Sequence, residues 1–257
     1  MVETNLVLHK GARLVGLDEL RSIEAPPPEG RWFPVAHCRV LDRVSETLHE
    51  AGYRVQDQKL AVSADNARFF GTLDLATPVA TGVSLAVGIR NSVDKSFPLG
   101  FCAGNRVFVC DNLAFRSELM VRRKHTRNGE RNFGNAIANA VTALGQFKEM
   151  EQERIRLLMQ TELRPEIADS LILRAYEKGM LSIHHLPRVI QEWRKPSFEE
   201  FQPRTAWSLL NAFTTVLKDR AEKNPAQFAV QTIRLNSLLE PTATPATERE
   251  PAFAVAT

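Results

Sequence analysis

Val83-Ser-Leu-Ala-Val-Gly-Ile-Arg-Asn91, then a linker through Pro98, then Phe101-Cys-Ala-Gly-Asn-Arg-Val-Phe-Val-Cys110, is the stretch that decides the fold. The first run is almost continuously apolar, as a centrally placed strand is. The second is divided by Gly104-Asn105, whose chemistry predicts a tight hairpin turn. Upstream, Tyr53, Val55, Leu60 and Val62 alternate, and Ala64-Asp-Asn-Ala67 reads as a turn. Arg68-Phe-Phe-Gly-Thr-Leu-Asp-Leu75 makes a further strand, broken by Thr77-Pro-Val-Ala-Thr-Gly82. About five strands result, mostly antiparallel because short turns join them.

Before the sheet, Val40, Leu41, Val44 and Leu48 recur at helical spacing and Gly52 follows as a stop, predicting a helix over His37 to Ala51. His37 near its start reads as a cap or packing residue. Leu6-Val-Leu8 predicts a short strand, Leu17 to Ile23 a short helix, and Pro26-Pro-Pro28 an extended connector. After the sheet, residues 112–121 read as helical or irregular, and Asn128-Gly129 as a turn. From Phe133 the pattern is helical. Ile137, Val141, Leu144, Phe147, Ile155 and Leu158 form a long apolar stripe, read either as core or as an oligomer seam. Pro165 opens a helix that Gly179 ends; Leu186 to Trp193 is another; Thr205 caps a strong helix through Leu217; Asn224-Pro225 begins the last, to about Leu239.

The fold class is α+β: a helix plus an about five-stranded, mostly antiparallel sheet, followed by a helical half. Residues 1–30 are assigned as an N-terminal arm, 31–132 as the sheet region, 133–240 as a helical region packed on it, and 241–257 as a disordered tail rich in Pro, Thr, Ala and Glu.

Function is expected where sheet gives way to helix. Between Arg116 and Arg131, six basic residues (Arg116, Arg122, Arg123, Lys124, Arg127 and Arg131) face two acidic ones, Glu118 and Glu130, whereas the whole chain carries only +3. Clustered guanidinium groups neutralise phosphates with bidentate geometry. Arg106 assists, and Phe115 and Phe133 flank the run as candidate stacking residues for a single strand. The competing interpretations are a solvated loop and a protein-binding scaffold, such as one in a defence or counter-defence system.

A weaker pattern is a metal-dependent nuclease built from some of Asp65, Asp74, Asp94, Asp111, Glu118 and His125. The Asp residues at 65, 94 and 111 sit in turn contexts, where carboxylates commonly bond backbone. His184-His185 lacks further ligands at a fitting spacing. With no phosphate loop, dinucleotide fingerprint or nucleophile elbow, no catalytic residue, metal or cofactor is assigned. Cys38, Cys102 and Cys110 are too few and scattered for a disulfide framework and read as buried thiols. No secretory signal and no apolar run of ~20 residues is seen, predicting a cytoplasmic protein with no membrane partner.

Trp32-Phe-Pro-Val-Ala-His37, Arg106-Val-Phe-Val-Cys-Asp-Asn112, Lys124-His-Thr-Arg127 and Thr205-Ala-Trp-Ser-Leu-Leu-Asn-Ala212 occur in that order. In these segments the chain resembles the phage- and plasmid-encoded family known as domain of unknown function nine-three-two, over roughly residues 30–240. That resemblance implies a mobile-element setting and work on DNA. More loosely, the order of helix, hairpin-bearing sheet and helix is similar to the single-strand annealing proteins of phage recombination, which implies a basic groove and a homo-oligomer.

Overall fold

Strand order follows chain order. The computed structural model describes residues 12–107, 112–223 and 225–243. Within them lie β1 (Arg13–Leu14), α1 (Leu17–Ser22), α2 (His37–Glu50), β2 (Val55–Val62), β3 (Arg68–Ala80), β4 (Val83–Ser92), β5 (Leu99–Val107) and β6 (Asn112–Arg123). The helical half comprises α3 (Gly129–Thr142), α4 (Leu144–Gln160), α5 (Pro165–Glu177), α6 (Leu186–Arg194), α7 (Ala206–Lys223) and α8 (Pro225–Ala243), with a 3-10 turn at Glu199–Phe201. The six strands form one antiparallel meander, β1-β2-β3-β4-β5-β6. The α+β class expected from the sequence is the one observed, with one strand more.

Three local expectations give way to tertiary structure. Gly104-Asn105 is not a turn: β5 runs straight through it, pairing Asn105 with Leu85 on one side and Ala114 on the other. Residues 112–121 are strand, not helix or irregular chain. The Pro78 break is absorbed as a register shift between Asp74 and Pro78, so β3 continues to Ala80. A bulge is where a sheet tolerates a missing backbone donor. The segment Leu6 to Leu8 and the tail beyond 243 lie outside the described residues.

Alternation gives the sheet two chemically different faces. One carries Leu60, Val62, Phe69, Leu73, Leu75, Leu85, Val87, Ile89, Leu99, Phe101 and Ala103, all in the core. Burying each of these side chains larger than alanine stabilises by about 1.5–3 kcal/mol. Helix α2 lies on this face, since Val40, Leu41, Val44 and Leu48 form one buried stripe and His37 stacks on Phe69 with ring centroids 5.6 Å apart. Helix α4 lies there too, through Glu151, which accepts a hydrogen bond from the Asn105 amide of β5. Glu151 is 2% exposed. It is held by Arg154, whose Nε and Nη2 donate to its two oxygens at 2.9 and 2.7 Å, and Arg154 also reaches Asn236 Oδ1 of α8 at 2.9 Å. Sheet, α4 and α8 are thus tied by one buried polar network.

The stripe from Ile137 to Leu158 bends at Ala143, between α3 and α4, and every member is buried by the chain itself. It is core, so the alternative of an exposed oligomer seam falls away for these residues. Helix α7 is buried all round from Ala206 to Phe213. Thr205 caps it as expected, its Oγ1 accepting from the Ser208 amide at 3.3 Å.

Candidate nucleic-acid interface

Strand β6 delivers the basic run to the start of α3, and the backbone there is closely held. Thr126 N donates to Lys124 O at 3.0 Å and Gly129 N to Thr126 O at 2.7 Å. From across the fold, Phe33 N donates to His125 O at 3.1 Å. A side chain at Gly129 would place its Cβ 2.5 Å from the Lys124 carbonyl oxygen, so the turn closes only with glycine there. Two of the segments that carry the family resemblance, Trp32 to His37 and Lys124 to Arg127, therefore meet in space.

On this frame Arg122, Arg123, Lys124, Arg127 and Arg131 are all exposed. Among the described residues none of the five has a carboxylate partner; Glu130, beside them in sequence, is engaged by Arg39 of α2 at 2.8 Å. Arg131 stands in the first turn of α3, where the helix dipole is positive and a cation is unfavourable by about 0.3–1 kcal/mol. Among the described residues, these cations are held together without a carboxylate to neutralise them.

Strand register divides the run. Arg123 lies opposite Leu99, on the helix-covered side, whereas Arg122 lies opposite Gly100, on the other. Gly100 is in turn opposite Arg90, and Arg90 opposite Phe70. Arg90 leans across the glycine: a Cβ built at Gly100 would fall 2.7 Å from Arg90 Cγ and 2.8 Å from its Nε. Its guanidinium sits 5.4 Å from the centroid of Phe97, a cation–π contact, and Phe97 packs against Phe70 at 5.3 Å. Burial, and then the positive charge of Arg122, lower the Arg90 guanidinium from its ordinary value. Sequence reasoning missed Arg90, because at the end of an apolar run it looks like a strand terminus; only the pairing register puts it beside Arg122.

Of the two expected stacking residues, the structure corrects one, Phe133. Phe133 is 1% exposed, inside the core, because the buried stripe of α3 starts with it; it cannot stack on an incoming base. The side chains of Arg106, Phe115 and Arg116 lie outside the described part of the structure.

His125, in the middle of the basic run, turns inward and is buried, with the Phe97 backbone beside its ring. Burial pushes it below the usual imidazole range. His37 is fully buried. Its Nδ1 is 2.9 Å from the Asn91 amide nitrogen and its Nε2 is 2.9 Å from Asn66 O. The amide can only donate, so Nδ1 accepts and Nε2 carries the proton. Burial is again the main cause lowering its affinity for a second proton. Both imidazoles are neutral packing groups.

Two carboxylates of the nuclease alternative are held by partners within the fold. Asp65 accepts from Ser63 Oγ at 2.5 Å and Ala67 N at 3.1 Å, Asp94 pairs with Arg68 at 2.8 Å, and Asp74 is buried in β3. Asp111 and the Glu118 side chain lie outside the described part. His185 Nδ1 lies 2.8 Å from Ser182 Oγ, a local turn contact. Among the described residues no three His, Cys, Asp or Glu converge as a metal site. The Cys102 thiol, donating to Gly88 O at 3.8 Å, is pushed up to about 12 by burial; Cys110 is outside the described residues. No helix among them is long and apolar enough to cross a membrane.

Comparison with family models, curated proteins and solved structures finds no match for this chain. The likeness drawn from the four ordered segments thus stands on those residues alone.

Proposed function

We propose that this chain binds nucleic acid, foremost single-stranded DNA, through the junction of β6 and α3, as an annealing or accessory factor of phage or plasmid origin. The carrying observation is the set of exposed cations, Lys124, Arg127 and Arg131 with Arg122 and Arg123, on a backbone fixed by three hydrogen bonds and, among the described residues, without carboxylate partners. Cations that are not neutralised within the fold attract phosphates and release counterions on binding. With Phe133 in the core, Phe115 is the ring left to stack on a base, with Arg106 and Arg116 assisting the cations of the junction, and phosphate contact there tolerates any base sequence.

The test is binding of a fluorescent thirty-residue oligothymidine across a salt series. Each phosphate contact contributes about −0.7 to the slope of log K against log salt for a single strand. The variant Lys124→Ala/Arg127→Ala/Arg131→Ala is expected to bind more weakly and with a slope shallower by about 2. Binding that ignores salt, or a variant equal to the wild type, would defeat the proposal.

A further inference from the structure

We infer that Arg90 and Arg122, facing one another across Gly100 on the sheet face opposite α2 and α4, form a phosphodiester-binding subsite that seats one phosphate of a bound single strand. This rests on the nucleic-acid function proposed above and extends it from the connector onto the sheet.

Three observations carry it. The first is placement. Arg90, Gly100 and Arg122 occupy one row of the register on three adjacent strands. Two strand spacings separate the arginine backbones by about 9.5 Å, a span that two long side chains close around a tetrahedral anion. The second is the gap. Gly100 is buried between them, and Arg90 occupies the volume its side chain would take. A row of three residues with glycine at its centre lets one guanidinium incline toward the other.

The third is the absence of an internal reason for the pair. Neither arginine has an ion-pair partner among the described residues, and each lies near another positive charge. Arg68, two residues from Phe70, is by contrast neutralised by Asp94 at 2.8 Å. Phe97 supports the Arg90 guanidinium through its ring, which fixes the side chain without neutralising it. A half-buried and an exposed guanidinium on one row of the register repel until an anion joins them, and an oxyanion with several acceptor oxygens satisfies both forks. A phosphodiester suits the place better than an acidic peptide, because Lys124 and Arg127 continue the positive charge along the chain and a polyphosphate backbone supplies charge at regular intervals.

The experiment uses the full chain with Arg122→Ala, Arg90→Lys, Gly100→Ala and, as a charge control far from the row, Arg174→Ala on exposed α5. Circular dichroism and thermal melting establish folding. Gly100→Ala removes no charge but displaces Arg90. Oligothymidine, a mononucleotide and inorganic phosphate are titrated in turn. Expected are roughly tenfold or greater losses of oligothymidine affinity for Arg122→Ala and Gly100→Ala, a slope shallower by about 0.7 for Arg122→Ala, and no change for Arg174→Ala. Full oligothymidine affinity in both Arg122→Ala and Gly100→Ala, with loss confined to the Lys124/Arg127/Arg131 variant, overturns the subsite and leaves the connector function standing. Inorganic phosphate or mononucleotide binding that equals oligothymidine binding and depends on Arg122 overturns the phosphodiester assignment in favour of a free-phosphate site. No oligothymidine binding by the wild type overturns both.

Discussion

The two faces of the sheet are made by the same strands and do opposite things. Toward α2 and α4, β3 to β5 present Phe69, Leu73, Leu85, Val87, Ile89 and Phe101, all essentially inaccessible. Away from them, the same strands present Phe70, Arg90, Gly88, Gly100 and Cys102. At the buried centre of the first face, Glu151 meets Arg154 and Asn105 and His37 meets Asn91 and Asn66, while Arg123 stands exposed at its edge. Where the second face is charged at Arg90 and Arg122, nothing described neutralises it. A polar group answered within the chain points to stability, and one left unanswered points to a partner.

The largest expected effect is on the covered face. Phe69→Ala removes a fully buried ring and should cost about 3–5 kcal/mol in chemical denaturation. A loss below 1 kcal/mol would mean that the His37–Phe69 layer is not core. Glu151→Ala leaves the largely covered Arg154 guanidinium with Asn236 Oδ1 but no carboxylate and should cost somewhat less, about 3 kcal/mol, much of it recovered when Arg154→Met accompanies Glu151→Leu. If the double replacement is no better than the single one, the network acts by geometry and not by charge balance.

A smaller effect comes from pH. His37 and His125 both have folded-state affinities for protons below the ordinary 6.5. The unfolded chain therefore binds protons that the folded chain refuses, and stability rises with pH in that window. It should be fully present above about 6.5 and decline as pH falls from there toward the depressed folded values. Urea midpoints at pH 7.5, 6.5 and 5.5 test this, with His125→Phe expected to flatten the decline. The smallest effect belongs to the other face. Arg122→Ala should change stability by no more than about 0.5 kcal/mol, and a larger destabilisation would erase the distinction between the two faces.

What the sequence made legible was whatever depends on local periodicity. The α2 stripe, the apolar run of β4, the Thr205 cap and the Pro165 start all follow from spacing or from one residue's backbone chemistry. What it hid depends on partners distant in the chain. Gly104-Asn105 has turn chemistry, yet Asn105 is a strand residue because Glu151 of α4 answers its amide. In residues 112–121, Leu113, Phe115, Leu119 and Val121 alternate but Ser117 interrupts them, and pairing with β5, around an irregularity between Cys102 and Gly104, is what makes the segment a strand. Arg122 and Arg123 are adjacent in sequence but on opposite faces, a division that no linear count of charge reveals. Arg90 becomes a candidate only when Gly100 is known to lie beside it. Phe133 reads as a surface ring from its place beside the basic run, whereas its position on the inner stripe of α3 makes it core.

The meander carries a consequence for how the chain acquires this shape. From β2 to β6 every strand pairs with its neighbour in the chain, so the sheet can assemble hairpin by hairpin through short loop closures. The α2 side of its apolar face is supplied from upstream, but α4 follows all six strands. During synthesis the sheet is complete before the part that finishes covering it has left the ribosome. The interval between β6 and the docking of α4 is when this chain is most exposed to misassociation, and it lengthens with any slowing of translation past residue 123.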